Sequence, residues 1–286
     1  MRTAMVISPH ADDLAAFCGG TIAKFAAQGW KIVMVRVTDD RKDSVGLTVP
    51  ETIRRNTEEM RLGANYVGVS EIVELGFETD CLADVSLVKL RERMVYCFRK
   101  YRPYAVFSFD PFAPYEGNLD HLRTAQAVEE AYWVATFDLH HPEHFKEGLK
   151  PFSVCERWYF ARELQNPNQV EDVTEFIPKK IEALLAHQTA MKNLLNQYRL
   201  QLETWGKKAQ LVEHSMKVDM RFLISVYLTE QAKAVAKAHH LPEGTMAEPF
   251  RLVRFGDLEE LFQLSGEPIP GAEPAVVRPT LDIYKK

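Results

Sequence analysis

Two short polar stretches, far apart in the chain, carry residue types suited to holding a divalent metal ion. The first is Ser8-Pro9-His10-Ala11-Asp12-Asp13, which follows the apolar run Met5-Val6-Ile7. The second is Asp120-His121, which follows an apolar run and a loop that contains two prolines. Imidazole and carboxylate together suit Zn²⁺, which catalytic sites commonly hold with three protein ligands and one open position. A second carboxylate beside that position is what metal-assisted hydrolysis needs as a general base.

Each stretch also has a simpler structural interpretation. An Asp-Asp pair after a strand is often a helix N-cap with a solvated neighbour, and a single histidine in a turn is usually polar surface. His121 alone is equally consistent with a capping or core residue. The metal hypothesis therefore requires His10, Asp13 and His121 to meet at one point.

The elements between the two stretches predict how they meet. Apolar runs alternate with helical spacing, which is typical of βαβ units, a mostly parallel sheet and right-handed crossovers. The predicted strands are residues 5–7, 31–38, 71–75, 105–109 and 156–161, and the helices between them begin near residues 18, 51, 87 and 122. We expect a Rossmann-like α/β fold whose strand carboxyl ends, where open α/β sheets bind ligands, bring the two stretches to one edge.

Beyond about residue 165 the pattern changes. It predicts one long helix from Ile177 to about Leu200, a loop over 207–219, a helix over 222–238 and a last strand over 250–255. The prolines after Gly266 (Pro268, Pro270, Pro274 and Pro279) favour an extended tail. We therefore expect a single α/β domain over 1–286, with a core of about 1–165 and a C-terminal helical and strand extension of about 166–286.

Composition excludes several classes of protein. With 35 basic and 40 acidic residues the net charge is −5, which argues against nucleic-acid binding. No apolar run of about 18 residues predicts a membrane span, and the first strand begins too early for a signal peptide. Four scattered cysteines without a CxxC pair favour a reduced, cytoplasmic protein. The partner expected is a small molecule, and a homo-oligomer remains open.

Taken together, the two stretches resemble the LmbE-like (PIG-L) family of zinc-dependent N-deacetylases. The family signature is Pro-His-Pro-Asp-Asp, a Gly-Gly helix start and a downstream Asp-His. The matching residues here are Pro9-His10-Ala11-Asp12-Asp13, Cys18-Gly19-Gly20-Thr21 and Asp120-His121. Weaker matches are Arg54-Arg55 with Glu58-Glu59, and the stretches 180–188 and 247–251.

The resemblance implies a role for each matching residue. His10, Asp13 and His121 are the expected Zn²⁺ ligands, and Asp12 is the expected general base. Asp120 joins the catalytic group as a residue beside the site that orients a ligand or the base. The residues expected to bind substrate or to stabilise the oxyanion are Arg54, Arg55, Tyr115, Asn118 and His187.

Three positions depart from the family pattern. Ala11 replaces the usual proline, and Leu14 stands where glutamate is common. Asn118 lies three residues before His121, where many members have a histidine that assists the transition state. The missing donor is therefore expected from His187 or from a neighbouring subunit.

The leading functional hypothesis is a zinc hydrolase that cleaves the amide of an N-acyl substrate, with an N-acetylglucosamine-type sugar or conjugate selected by the resemblance. An amidase acting on a non-sugar N-acyl or carbamoyl compound is the alternative. A nucleotide-binding Rossmann-type protein is a further hypothesis, although the chain lacks G-x-G-x-x-G and a P-loop lysine pattern. An inactive binding homologue also remains open.

Overall fold

A mixed seven-stranded sheet organises the computed structural model, which describes residues 1–255 and 258–278. Its strands are β1 (Thr3–Ser8), β2 (Lys31–Thr38), β3 (Glu71–Phe77), β4 (Ala105–Phe109), β5 (Glu156–Phe160), β6 (Gln169–Asp172) and β7 (Ala247–Val253). They are ordered β3-β2-β1-β4-β5-β7-β6. Strands β1 to β5 pair in parallel, and β7 pairs antiparallel with both β5 and β6. The predicted mostly parallel α/β sheet is confirmed.

Helices cover both faces of this sheet. They are α1 (Gly19–Ala27), α2 (Val49–Tyr66), α3 (Leu87–Tyr101), α4 (Leu119–Val134), α5 (Glu143–Lys146), α6 (Ile177–Ala186), α7 (Gln188–Thr204), α8 (Gln210–Lys217), α9 (Arg221–Ala238) and α10 (Glu259–Ser265). Alternate residues of β1 enter two different apolar clusters, Ala4 and Val6 in one and Met5 and Ile7 in the other. Burial on both faces explains why the parallel strands are continuous apolar runs. In the described residues, no helix is both long and apolar enough to cross a membrane.

The strand order brings the two polar stretches together. Strand β1 lies between β2 and β4, and its parallel pairing with each places the three carboxyl ends at the same edge. The chain leaves β1 toward one side of the sheet and β4 belongs to the other side, so the strand order reverses here. Open α/β sheets bind ligands at this kind of reversal.

A buried carboxylate from the C-terminal part of the chain forms hydrogen bonds with the start of α1. Glu248 of β7 accepts hydrogen bonds from the backbone N–H groups of Gly20 (3.0 Å) and Thr21 (2.7 Å). Lys180 of α6 donates to the same carboxylate at 2.6 Å. A carboxylate is well placed at a helix N-terminus, where N–H groups lack partners within the helix. Strand β7 and helix α6 therefore hold the element that directly follows the first polar stretch.

Several predictions for the C-terminal half were wrong in detail. The helix predicted from Ile177 to about Leu200 is broken at His187, whose backbone (φ −82°, ψ 57°) is not helical. The loop predicted over 207–219 contains α8, and the last strand is 247–253 rather than 250–255. Strand β6 was not predicted, since four residues with one apolar side chain give little periodic signal. Pro279 of the predicted tail lies outside the described residues.

The histidine-rich stretch 140–144 is partly helical and partly buried. It contains the short helix α5, and His144 is only 2% exposed. Its Nε2 lies 2.9 Å from Glu92 and its Nδ1 lies 3.2 Å from the guanidinium of Arg99. Both ring nitrogens are therefore engaged within the protein, so the nearby group of His141, Glu143 and His144 is a poor cation site.

Candidate metal centre

The turn that carries His10 is fixed by the end of β2. The carbonyl oxygen of Pro9 accepts hydrogen bonds from the backbone N–H (3.0 Å) and the hydroxyl (2.9 Å) of Thr38. The next N–H, that of Ala11, donates to Asp40 at 3.2 Å. After Asp13 a π-helical turn, Leu14–Cys18, leads directly into α1. Tethering to the neighbouring strand leaves the His10 side chain little freedom.

His121 reaches the same point from the first turn of α4. Asn118 caps this helix, and its side-chain oxygen accepts N–H hydrogen bonds from Asp120 (2.9 Å) and His121 (3.4 Å). Asparagine is among the preferred N-cap residues because it satisfies such free N–H groups. The ring of Phe109, at the end of β4, stacks on the His121 ring with centroids 3.9 Å apart. The cap and the stacking together set the direction of the imidazole.

The three predicted ligands converge on one point. Nδ1 of His10 lies 3.2 Å from Nε2 of His121 and 3.5 Å from Oδ2 of Asp13. Oδ1 of Asp13 is 3.4 Å from Nε2 of His121. All three residues are buried, and their donor atoms are close enough together to hold one ion. Two imidazole nitrogens and a carboxylate are a chemically suitable set for a divalent cation.

Each histidine has a carboxylate behind its other nitrogen. Nε2 of His10 lies 3.4 Å from Oδ2 of Asp120, which also accepts the backbone N–H of Asp80 at 2.6 Å. Nδ1 of His121 lies 3.4 Å from Oε1 of Glu116, which is ion-paired with Arg162. Carboxylates in this position fix the tautomer and the orientation of metal-binding imidazoles. The surroundings of the cluster therefore leave one nitrogen of each ring for a cation.

Electrostatics of the cluster follow from this arrangement. Although burial opposes it, hydrogen bonds to Asp120 and Asp13 raise the pKa of His10 well above its ordinary value. Burial likewise opposes protonation of His121, but the charge of Asp13 and hydrogen bonds to Asp13 and Glu116 raise its pKa. Burial alone would raise the pKa of Asp13. The charge of His121 and hydrogen bonds with His10 and His121 instead lower it far below the usual range. The carboxylates of this cluster thus favour positive charge at the two imidazoles, which a proton or a bound metal ion can supply.

Asp12 differs from its neighbour. It is half-buried and lines the cavity, and within the described part of the chain its carboxylate has no hydrogen-bond partner. Burial, followed by the charge of Asp13, raises the pKa of Asp12 to about 8. A carboxylate with a raised pKa beside a cation site is a candidate proton acceptor. Although Asp12 and Asp13 are adjacent in one turn, the pKa of Asp12 is raised and that of Asp13 is lowered.

A cavity of about 580 Å³ opens at these residues. Loops at the sheet edge contribute its polar side chains, among them Lys42, Asp43, Asp80, Asn118 and Arg162. Helices α6 to α9 contribute another wall, which is mainly apolar and meets the sheet-edge loops where Asn193 donates to Asp43 at 2.7 Å. The volume is typical of a site for a small organic molecule.

Comparison with known proteins assigns the N-terminal half to a family. Residues 5–132, which include both polar stretches, match the family described as PIG-L, GlcNAc-PI de-N-acetylase. These residues are therefore similar to a PIG-L domain. The resemblance predicted from the sequence is confirmed.

Similarity extends beyond this domain. The diacetylchitobiose deacetylase of Thermococcus kodakarensis is 29% identical over 192 residues, 66% of this chain and 70% of that protein. A probable N-acetyl-α-D-glucosaminyl L-malate deacetylase 2 of Bacillus anthracis is 25% identical over 207 residues, 71% of this chain and 87% of that protein. The structure of N,N'-diacetylchitobiose deacetylase from Pyrococcus horikoshii superposes with a TM-score of 0.71 at 21% identity, covering 92% of this chain and 85% of that one. Most of the chain therefore shares the fold of this deacetylase structure.

Not all of the predicted site residues line the cavity. Asp12, Asn118 and the three clustered ligands line the cavity, and Asp120 lies directly behind His10. Arg54 and Arg55 do not line the cavity, because they lie on the exposed face of α2 and pair with Glu58 and Glu51. Tyr115 is 91% exposed at a left-handed position (φ 55°) and also lies outside the cavity.

His187 lies behind the cavity rather than in it. The residue is 2% exposed and is not among the residues that line the cavity. A Cβ atom added at Gly63 of α2 would lie 2.7 Å from its Nε2, so the glycine makes room for the ring. Burial lowers the pKa of His187 to about 4. The ring is therefore a packed, neutral residue in this structure.

Sequence reasoning missed several polar residues of the cavity. Lys42 and Asp43 follow β2, and Asp80 follows β3, as Asp12 and Asp13 follow β1. The polar residues that follow the predicted strand 31–38 were the signal that could have indicated Lys42 and Asp43. Arg162 follows β5 directly and had no motif to mark it.

Proposed function

We propose that this protein is a zinc-dependent hydrolase that cleaves the amide of an N-acylated glucosamine-type sugar or conjugate. The observation that carries the proposal is the convergence of His10, Asp13 and His121, whose donor atoms lie 3.2 to 3.5 Å apart. In tetrahedral zinc sites with bonds of about 2.0–2.1 Å, neighbouring donor atoms are about 3.3–3.4 Å apart. The deacetylases described above support the substrate class.

The chemistry divides between the ion and the side chains. A bound zinc ion acidifies water and polarises the amide carbonyl. Asp12 accepts a proton from the attacking water and later gives one to the leaving amine. Because Asp12 is held by the same turn as two of the ligands, it is already positioned when substrate binds, which lowers the entropic cost of reaction.

The charged residues at the sheet edge complete the site. Asp120 and Glu116 hold the two imidazoles, so Asp120 acts as a positioning residue. Lys42 and Arg162 lie on the polar wall, where their charges suit sugar hydroxyls or an acidic group on a conjugate. The side-chain oxygen of Asn118 is occupied in capping α4. Its amide nitrogen is not an acid, so Asn118 provides no catalytic proton.

The direct test is hydrolysis of a defined panel by the purified full chain. N-acetylglucosamine, N,N'-diacetylchitobiose and N-acetylglucosaminyl malate represent the sugar class, and N-acetylated amino acids represent simple amides. We expect release of acid from a sugar substrate, with about one zinc per chain measured by elemental analysis. If only the N-acetylated amino acids were cleaved, the amine part of the substrate would not be a sugar, and the proposed substrate class would be wrong. Stoichiometric zinc without any amide cleavage would overturn the proposal.

A further inference from the structure

We propose that the acyl group which this enzyme removes is longer than acetyl and extends as an apolar chain along the wall formed by α7 and α9. The inference rests on the proposed amide hydrolysis and names its substrate more closely. The feature behind it is the unequal chemistry of the two cavity walls. The loops at the sheet edge form one wall, and the helices of the C-terminal half form the other.

The helical wall is mainly apolar, although Asn193, Gln197 and Gln231 also line it. The side chains that form it include Ala190, Met191, Leu194 and Leu195 of α7, and Leu223, Ile224 and Leu228 of α9. Ala16 and Phe17, in the π-helical turn after Asp13, join this wall to the ligand cluster. The methyl of an acetyl group contacts only a small part of such a surface. A cavity of about 580 Å³ therefore has more apolar lining than an acetylated sugar uses.

The amine side and the acyl side of the substrate are expected to contact different walls of the cavity. The carbonyl carbon must lie beside Asp12 and the three ligands, so the amine side and the acyl side extend in different directions from that point. Sugar hydroxyls need hydrogen-bond partners. On the sheet-edge wall Lys42, Arg162 and the second oxygen of Asp43, whose Oδ1 accepts from Asn193, are suitable partners. The acyl side then faces the helical wall.

The outer end of the apolar wall is open. Leu194 is 36% exposed, and the cavity-lining aromatic residues Tyr198 and Tyr227 are 50% and 59% exposed. A chain that grows by methylene groups can therefore continue outward from Leu195 and Leu228 without meeting a closed end. Binding of such a chain covers apolar surface that is otherwise exposed to water.

A series of N-acyl glucosamines with acetyl, butyryl, hexanoyl and octanoyl groups tests the inference. Because each buried methylene contributes about 0.8 kcal/mol, we expect kcat/KM to rise about twofold to fourfold per methylene up to hexanoyl. A flat series, or acetyl as the best substrate, would overturn the inference while leaving the proposed function intact. If none of the series were cleaved, the proposed function itself would fail.

A second arm separates the acyl chain from an apolar group on the sugar. The octyl and methyl glycosides of N-acetylglucosamine place the chain on the amine side instead. We expect kcat/KM for these two glycosides to agree within about threefold. A gain that occurs only with the octyl glycoside would assign the apolar wall to the aglycone and contradict the acyl assignment.

Helix α7 offers a matched pair of variants. Leu194 and Leu200 are both partly exposed (36% and 48%), but only Leu194 lines the cavity. We expect Leu194→Asp to lower the hexanoyl-to-acetyl ratio of kcat/KM at least tenfold, and Leu200→Asp to leave both values unchanged. Equal effects of the two substitutions would contradict the inference.

Binding without turnover provides an independent measurement. Calorimetry with the Asp12→Asn variant is expected to show tighter binding of N-hexanoylglucosamine than of N-acetylglucosamine. The heat-capacity change should be more negative for the longer chain, as expected for burial of apolar surface. Adding Leu194→Asp to this variant should remove the difference, and its persistence would place the chain elsewhere.

Discussion

Lys180 of α6 and Glu248 of β7 form a buried ion pair, with Nζ 2.6 Å from Oε1, directly at the N-terminus of α1. Both residues are about 5% exposed or less. Removing one partner of a buried pair leaves an uncompensated charge, which is strongly destabilising. The pair therefore links the C-terminal half of the chain to the turn that carries the metal ligands.

Glu248→Gln should lower the free energy of unfolding by about 3 kcal/mol, because Lys180 then remains buried without a counter-charge. Urea unfolding followed by circular dichroism measures the change. Glu243→Gln, at an exposed position before β7, is the control and should have no measurable effect. Equal stability of Glu248→Gln and the parent protein would mean that the pair does not support the fold.

Asp12→Asn should lower kcat by about a hundredfold to ten thousandfold, the usual contribution of a general base. The substituted amide keeps the shape of the side chain but accepts no proton. Zinc content should stay unchanged, because Asp12 is not one of the three converging ligands. Near-normal turnover with full zinc occupancy would assign the proton transfer to another group.

His121→Ala should remove stoichiometric zinc, since it takes one of three ligands from the site. Elemental analysis after dialysis against a weak chelator measures this loss. His140→Ala, a substitution of an exposed histidine, is the matched control and should retain zinc. Zinc retained at full stoichiometry by His121→Ala would place the ion elsewhere in the protein.

Asp120→Asn should weaken zinc binding about tenfold to a hundredfold without abolishing it. The amide still accepts one of the backbone hydrogen bonds that Asp80 and Leu82 donate to this side chain. The neutral amide, however, no longer offers His10 a negatively charged oxygen next to its Nε2. Competition with a fluorescent zinc chelator gives the affinity. An unchanged affinity would show that Asp120 does not orient His10.

His187 predicts a specific dependence of stability on pH. Burial lowers its pKa from the ordinary value of 6.5 to about 4, so the unfolded chain takes up a proton in that interval which the folded protein does not. The contribution of His187 to the free energy of unfolding is therefore complete above pH 6.5, and the free energy falls by about 3 kcal/mol as the pH drops to 4. In His187→Leu the difference in unfolding free energy between pH 7.5 and 4.5 should shrink accordingly. The same pH dependence in both proteins would contradict this prediction.

The sequence predicted the part of the fold in which strands are buried on both faces. Strands β1, β2 and β4 are continuous or nearly continuous apolar runs, and their alternation with helices defines a parallel sheet. Strands β3 and β5 are less apolar but follow the same alternation. Strand β6 has no such run, and α8 is short and polar. At the break, the ring of His187 packs beside Gly63 of α2, a tertiary contact that a local pattern does not reveal.

The candidate site was predictable where ligands follow strands. His10, Asp13 and His121 were expected at one edge, and the structure places them there. Arg54 and Arg55 were proposed from a motif whose register was uncertain, and helix α2 turns both toward its acidic neighbours. Arg162 reaches the cavity only because β5 lies beside β4, a relationship that appears once the strands are ordered.

The contact between Gly20 and Glu248 spans 228 positions in the sequence. During synthesis the turn with His10 therefore leaves the ribosome long before the carboxylate that secures the following helix has been made. Because domains generally fold as units during synthesis, the start of α1 should stay exposed to proteases until β7 has emerged. A nascent chain halted before residue 247 is accordingly expected to be cleaved near its amino terminus, whereas the completed protein resists.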